Sequence, residues 1–424
     1  APNVTAPAVN DTGAFLEPPL SVMSMKTKEL IKKSNKYIAQ TYGRFPIALV
    51  RGKGTKVWDA DGKEYLDFVS GIAVCNLGHC PDAVVTAVKN QVETLLHVSN
   101  LYHIEPQIEL AEELVKNSFA DKAFFCNSGA EANEAAIKLV RKYFHDQGKE
   151  KYEIITMKQS FHGRTMATLS ATGQAKIQKG FEPLSSGFKC VPFDDTAAVT
   201  EAISSKTCAV MVEPIQGEGG VNIPDDNYLK SLKDICNKND ILLILDEVQT
   251  AMGRTGRLFA YQHYEIEPDI MTLAKGLAGG IAIGAMLATN KIISAFKPGN
   301  HASTFGGNPV AAAAGLAAFK EFSHKNLLSH VEEMGTYLLS KLNDMKKRFP
   351  FIKDIRGKGL MVAMEMDSPS SEIVNYCMDK GFLINCIQEK ILRFVPPLIV
   401  QKNEIDSLIN ILEQCFDEKL GRHT

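Results

Sequence analysis

From Ile241 the chain runs Ile-Leu-Leu-Ile-Leu without a polar break and then ends on Asp246-Glu247. Unbroken aliphatic runs of about four to eight residues between turn signals predict strands buried on both faces, as in a parallel sheet. Similar runs occur at residues 124–126, 153–156, 189–192, 208–212, 270–273 and 285–288, most of them separated by stretches of helical period. The pattern predicts about seven strands with helical crossovers, an α/β sheet covered on both faces.

On either side the period changes. Residues 26–40 read as a helix with Leu30, Ile31 and Ile38 on one side. Short apolar runs at 47–50, 56–59 and 65–68, divided by Gly-rich and Asp-Gly turns, predict a small β meander. From 81 to 142 the spacing is mostly helical, with Val84, Val88 and Val92 on one face. Beyond the Ala-rich helix expected at 309–322 come helices near 327–348 and 371–380 and strands near 360–365 and 392–394. The expected organisation is therefore a leader (1–24), an N-terminal segment with the meander (25–75), a large domain (76–309) and a smaller C-terminal α/β domain (310–424). The leader carries no Lys or Arg, which excludes an Arg-rich presequence and a signal peptide with a basic start. It reads as a disordered leader or a cloning remnant.

Composition narrows the function classes. Net charge is −2 and charged residues make up 23% of the chain, with Lys and Arg scattered along it, so no footprint for nucleic acid or an anionic membrane is visible. No apolar run approaches the ~20 residues of a membrane span. The nine cysteines never form a C-x-x-C pair, which fits reduced thiols in a reducing, cytoplasmic setting and no metal site. Cys75 and Cys80 around His79 have the wrong spacing for a metal and read as small apolar filler. Arg51-Gly-Lys-Gly54 lacks the spacing of a phosphate loop and recurs at Arg356, so turn chemistry accounts for it. Small molecules are the expected partners.

The chemistry gathers at strand ends. Ligands of open α/β sheets bind beyond the carboxyl ends of the strands, and four predicted strands finish in polar groups: Asn127-Ser128-Gly129, Glu213 to Glu218, Asp246 to Gln249, and Lys275. Ser128 with Glu131 three residues on makes a capping box, and the helix that follows offers free amide groups to a phosphate through Gly129 and Ala130. A lone Lys after a strand is usually a solvated loop residue. Here it has company. A pyridoxal cofactor needs a Lys for its imine, a carboxylate to keep its ring nitrogen protonated, and a phosphate cradle; Lys275, Asp246 and Ser128-Gly129-Ala130 supply one of each.

Nine motifs in order, among them Phe125-Cys-Asn-Ser-Gly-Ala-Glu-Ala-Asn133, Ser160-Phe-His-Gly-Arg164, Val212-Glu-Pro-Ile-Gln-Gly-Glu-Gly219, Leu245-Asp-Glu-Val-Gln249, Leu273-Ala-Lys-Gly276, Ser303-Thr-Phe-Gly-Gly-Asn-Pro309 and Leu392-Arg-Phe-Val-Pro-Pro-Leu398, resemble the class III aminotransferases. The acetylornithine branch is the most similar. The resemblance runs from about Lys26 to the C-terminal end. It implies the fold-type I pyridoxal 5'-phosphate architecture, a homodimer with active sites at the subunit interface. The implied reaction is ping-pong transamination of N-acetylornithine with 2-oxoglutarate through a Lys275 Schiff base, giving N-acetylglutamate 5-semialdehyde and glutamate in arginine biosynthesis.

Carried over by position, Asp246 meets the pyridine nitrogen, Gln249 the ring hydroxyl, and Val248 with Phe161 sandwiches the ring. Gly129 and Ala130 hold the phosphate, joined by Thr304 from the partner subunit. Arg164 and Arg393 take the two carboxylates of the dicarboxylate, while Glu218 pairs with Arg393 when the amine donor binds; a purely structural Glu218–Arg393 pair is the alternative. Glu213, Tyr42 and Ile72 complete the expected substrate surroundings. Ile72 stands where ornithine enzymes carry Tyr, whereas Tyr42 matches a Tyr that they use. Ornithine, 4-aminobutyrate and N-succinyl-diaminopimelate therefore remain alternative donors, and mutases and decarboxylases share the fold. His79-Cys-Pro-Asp82 and Ala282 depart from the usual pattern, outside the inferred cofactor set.

Overall fold

The computed structural model describes residues 25–324 and 326–421. The chain enters through the helix Met25–Tyr37 and then forms the expected meander of β1 (Leu49–Lys53), β2 (Lys56–Asp59) and β3 (Glu64–Asp67), paired antiparallel. The entry helix departs from its expected packing. It ends before Ile38, it buries only Thr27, and Leu30 and Ile38 are exposed. Likewise the helix Asp82–Thr94 buries Val84 but leaves Val92 exposed. In both helices the apolar face is covered only in part by this chain.

The predicted strands form one seven-stranded sheet: β4 (Lys122–Cys126), β5 (Glu153–Met157), β6 (Phe188–Val191), β7 (Thr207–Val212), β8 (Leu242–Asp246), β9 (Ile270–Leu273) and β10 (Gly284–Ala288), in the order β4-β10-β9-β8-β7-β5-β6. Strands β7 to β10 are buried along their whole length, which is why their sequences show no alternation. Strands β6, β5, β7, β8 and β9 are parallel, while β10 runs antiparallel to both of its neighbours. The link from Leu273 to Gly284 holds only the single short turn Lys275–Ala278. That is too short for a crossover helix, so the chain turns back on itself. As a result β10 starts, at Gly284 opposite Cys126, at the edge where its neighbours end.

The rest of the chain adds β11 (Ile352–Lys358), β12 (Met361–Met366), β13 (Phe382–Leu383), β14 (Asn385–Ile387) and β15 (Ile391–Phe394). Strands β11-β12-β15-β14 make an antiparallel sheet, and β13 extends the N-terminal meander by pairing parallel with β3. The helices Pro309–His324 and Leu327–Arg348 lead into this part. Ala311, Ala312, Ala314 and Ala318 are buried where the first packs on the helices Asp82–Thr94 and Glu105–Lys116, small side chains allowing close approach.

Candidate active site

Because β4, β7, β8 and β9 point the same way, their carboxyl ends open into one cavity of about 480 Å³, within the usual size of small-molecule sites. Ser128, Gly129, Ala130, Phe161, Arg164, Glu213, Glu218, Asp246, Val248, Gln249 and Lys275, all expected from the sequence, line it. Thr304, Tyr42 and Ile72 lie outside it and are exposed. Ile72 is held at φ 63°, a left-handed conformation that a β-branched side chain rarely adopts.

One end of the cavity is a helix N-terminus. Ser128 caps the helix Gly129–His145, its Oγ accepting from the Glu131 amide at 3.2 Å. The reciprocal half of the box is displaced by one residue: Glu131 Oε2 accepts from the Asn127 amide at 2.8 Å. The amides of Gly129 and Ala130 are left without helical acceptors, at the positive end of the helix dipole. Gly129 is required by close packing, since a Cβ there would lie 2.8 Å from Val248 Cγ1.

At the end of β8 Asp246 is buried and both of its carboxylate oxygens are engaged. Oδ2 accepts from Asn133 Nδ2 and pairs with His162 Nδ1, both at 2.8 Å, and Oδ1 accepts from the Val248 amide at 3.0 Å. Asn133 is oriented in turn by donating to the His162 carbonyl at 2.7 Å and accepting from Thr272 Oγ1 at 2.7 Å. Burial alone would push the His162 imidazole down, but its hydrogen bond to Asp246 and that carboxylate's charge carry it up. Buried His162 Nε2 has no hydrogen-bond partner among the described residues. Both His162 and Asn133 lie inside motifs quoted above, yet sequence reasoning assigned them no role. A His two residues before Arg164 gives no sign that it meets an Asp 84 positions away.

Lys275 follows β9 at φ 44°, a strained setting for a non-glycine residue. Burial pushes its amine below the ordinary lysine range, against the charges of Glu218, Asp246 and Glu213. The neutral amine is the form that attacks a carbonyl. Glu213 is raised to about 7 by burial, which outweighs the nearby His162 charge; its two oxygens accept from the Phe161 amide at 3.0 Å and the Gly217 amide at 3.1 Å. Glu213 therefore fixes the backbone of Phe161, over whose ring the Arg164 guanidinium lies at 5.7 Å.

The third region is a charge pair. Arg393, fully buried on β15, donates through Nη1 to Glu218 Oε1 at 2.6 Å, while its Nη2 has no partner among the described residues. Burial would raise the Glu218 carboxyl, but Arg393 and Lys275 hold it down at about 2. Gln249, expected opposite a ring hydroxyl, is tied here to both members, donating to Glu218 Oε1 at 3.2 Å and accepting from Arg393 Nη1 at 3.3 Å. These groups match what pyridoxal phosphate needs: amides for a phosphate, a fixed carboxylate for a cationic ring nitrogen, and a lysine whose amine burial pushes toward its neutral form. Away from the site, Lys138, Arg141, Lys142, Lys149, Lys151 and Lys206, scattered in sequence, share one cleft. Lys142, Lys149 and Lys151 are matched there by Asp146 and Asp240.

Comparison with known proteins agrees with this geometry. The aminotransferase class-III family matches residues 37–416. An acetylornithine aminotransferase of Methanocaldococcus jannaschii is 52% identical over 93% of this chain and 99% of its own length. The acetylornithine aminotransferase of Caldanaerobacter subterraneus subsp. tengcongensis is 54% identical, covering 92% of this chain and 99% of its own. Among solved structures, an ornithine aminotransferase from Toxoplasma gondii, with partial occupancy of PLP at its active site, superposes with a TM-score of 0.91. It is 32% identical and covers 94% of this chain and 96% of its own.

Proposed function

The chain belongs to the class-III aminotransferases and is a pyridoxal-phosphate-dependent enzyme, and from that premise we propose that it moves the terminal amine of N-acetylornithine to 2-oxoglutarate. When bound, the cofactor supplies an aldehyde that condenses with amines and a ring that withdraws electrons from the carbon losing its proton. The Gly129 and Ala130 amides would hold its phosphate, Asp246 would keep its ring nitrogen protonated, and Phe161 and Val248 would flank the ring. The Asn133 and His162 hydrogen bonds hold the Asp246 carboxylate in place. Lys275 Nζ, its amine pushed below the ordinary lysine range by burial, takes the proton from the amine-bearing carbon of the donor.

The observation that carries the substrate reading is the Glu218–Arg393 pair at 2.6 Å. With Glu218 masking Arg393, the site accepts a donor whose reacting end is an amine with no carboxylate beside it. With Glu218 displaced, Arg393 and Arg164 hold the two carboxylates of 2-oxoglutarate or glutamate, each by a planar fork. Relatives named acetylornithine aminotransferase at 52% and 54% identity support the donor. The decisive experiment compares kcat/KM for N-acetylornithine, ornithine, 4-aminobutyrate and N-succinyl-diaminopimelate against 2-oxoglutarate. N-acetylornithine should lead, and preference for ornithine overturns the assignment.

The proposed working unit is a homodimer in the cytoplasm. Leu96, Leu101, Tyr102 and Phe305 are exposed, and Asn100 Nδ2 donates to the Ser303 carbonyl at 3.2 Å, so these residues and Thr304 share one uncovered apolar face. Among the described residues no helix is long and apolar enough to cross a membrane, and the nine cysteines are free thiols. Light scattering of the purified protein tests the dimer; a monomer at assay concentration contradicts it.

A further inference from the structure

Arg254 is among the largest fully buried side chains of the described residues, and it forms no ion pair among them. Its fork spends its donors on neutral oxygens: Nη1 donates to the Leu360 carbonyl at 3.0 Å and the Pro396 carbonyl at 2.6 Å, and Nη2 to Asn76 Oδ1 at 2.7 Å. Nε has no partner among the described residues. A buried cation without a counter-charge is costly. These three acceptors explain what it joins.

Asn76 leads to Lys275. Its Nδ2 donates to the Met252 carbonyl at 2.9 Å, and it packs so tightly on Gly276 that a Cβ there would lie 2.4 Å from Nδ2. Asn76 thus braces the strained turn that carries Lys275 at φ 44°. Leu360 and Pro396 lead to Arg393. Pro396 follows β15, which bears Arg393, and Leu360 precedes β12, whose Ala363 pairs with Arg393 across the ladder. The Leu360 amide donates back to the Arg254 carbonyl at 3.0 Å, and the Leu398 amide to the Asn76 carbonyl at 2.7 Å. Lys275 follows a strand of one sheet and Arg393 lies on another, and one guanidinium ties the backbone beside Arg393 to the brace beside Lys275.

We propose that Arg254 is a positioning residue for the dicarboxylate substrate, setting the separation between Lys275 and Arg393. The inference rests on the reading that Arg393 takes a substrate carboxylate. Three acceptors gathered around one side chain suit the several N–H donors of a guanidinium fork. Burial and the neighbouring Arg393 push Arg254 down to about 9, against the charge of Asp67, so two cations share this interior.

The test uses the holoenzyme with Arg254→Met, Arg254→Lys and Asn76→Ala, and glutarate as a dicarboxylate that cannot react. Calorimetric Kd for glutarate should rise about tenfold or more in Arg254→Met, with partial recovery in Arg254→Lys. A plain primary amine, which needs Lys275 but not Arg393, should react within about threefold of the wild-type rate. The Arg254 and Asn76 effects on glutarate should be non-additive. Unchanged glutarate affinity with a lowered Tm, or equal losses for amine and dicarboxylate, overturns the proposal. If Arg254→Met does not fold, Arg254→Lys and Asn76→Ala decide the matter by the same readouts. Arg393→Ala separates the two readings: if it binds glutarate as wild type does, the role of Arg393 fails, and this inference with it.

Discussion

Replacing Glu218 by Ala separates the two half-reactions. Its carboxylate meets Arg393 at 2.6 Å, with the Arg side chain 0% and the Glu side chain 27% exposed. Two unit charges about 4 Å apart at an effective dielectric of about 20 attract by ~4 kcal/mol. The proton equilibrium gives a similar figure: a carboxyl lowered from 4.5 to about 2 is favoured in its charged form by ~3.4 kcal/mol at ~1.36 kcal/mol per unit. On the proposed switch this pair stays closed in the half-reaction with N-acetylornithine, and without Glu218 a bare guanidinium would face the amine end. If ~3 kcal/mol of that pairing is felt in the transition state, kcat/KM for the donor falls about 100-fold. On the same proposal glutamate must open the pair, so for it the loss of Glu218 would remove a competitor. Its kcat/KM should stay within about threefold, with KM equal or lower. Stopped-flow absorbance of the cofactor in single half-reactions measures both constants, with circular dichroism confirming the fold. Equal losses for the two substrates would refute the switch and leave Glu218–Arg393 a structural pair.

Four further outcomes follow from the same geometry. Lys275→Ala should abolish transamination, and borohydride reduction should attach the cofactor to a peptide containing Lys275 in the wild type only; cofactor trapped on another lysine contradicts the assignment. Gly129→Ala puts a Cβ 2.8 Å from Val248 Cγ1, so affinity of the apoprotein for pyridoxal phosphate should fall about tenfold or more by fluorescence titration, and wild-type affinity would show that the cradle lies elsewhere. Glu213 is raised from 4.5 to about 7, so the stability of its neutral form is present below pH 4.5 and is lost as pH rises through about 7. Glu213→Gln should flatten the fall of Tm across that window, and parallel curves for the two proteins would count against a buried, titrating Glu213. Leu101→Asp, at a residue 82% exposed on the apolar face, should shift the light-scattering mass from dimer to monomer, and an unaltered mass places the interface elsewhere.

Much of this was legible in the chain because buried parallel strands leave a plain signature. The aliphatic runs at Thr207–Val212 and Leu242–Asp246 have no solvent face, so no alternation disguises them; Glu213 follows the first and Asp246 closes the second, and both line the cavity. Helices that this chain covers only in part misled in proportion. The stripe expected from Leu30 to Ile38 is real in spacing, yet packing on the described chain does not follow from spacing. The turn-back of β10 is set by the length of its link, whereas the residues of β10 themselves read like those of any buried strand.

The sequence by itself determined the strands, the capped helix at Gly129, and the identity of the groups at the strand ends, because hydrophobic period, capping chemistry and residue type act over a few neighbouring positions. Only the tertiary structure decided which of them meet. Asp246 is held by Asn133, His162 and Thr272 through a chain of hydrogen bonds that no local pattern encodes. Arg254 finds its acceptors at Asn76, Leu360 and Pro396 from three separate parts of the chain. Buried polar groups must be satisfied wherever the fold brings a partner within about 3 Å, and that partner is chosen by how sheets and helices pack, at any distance along the sequence.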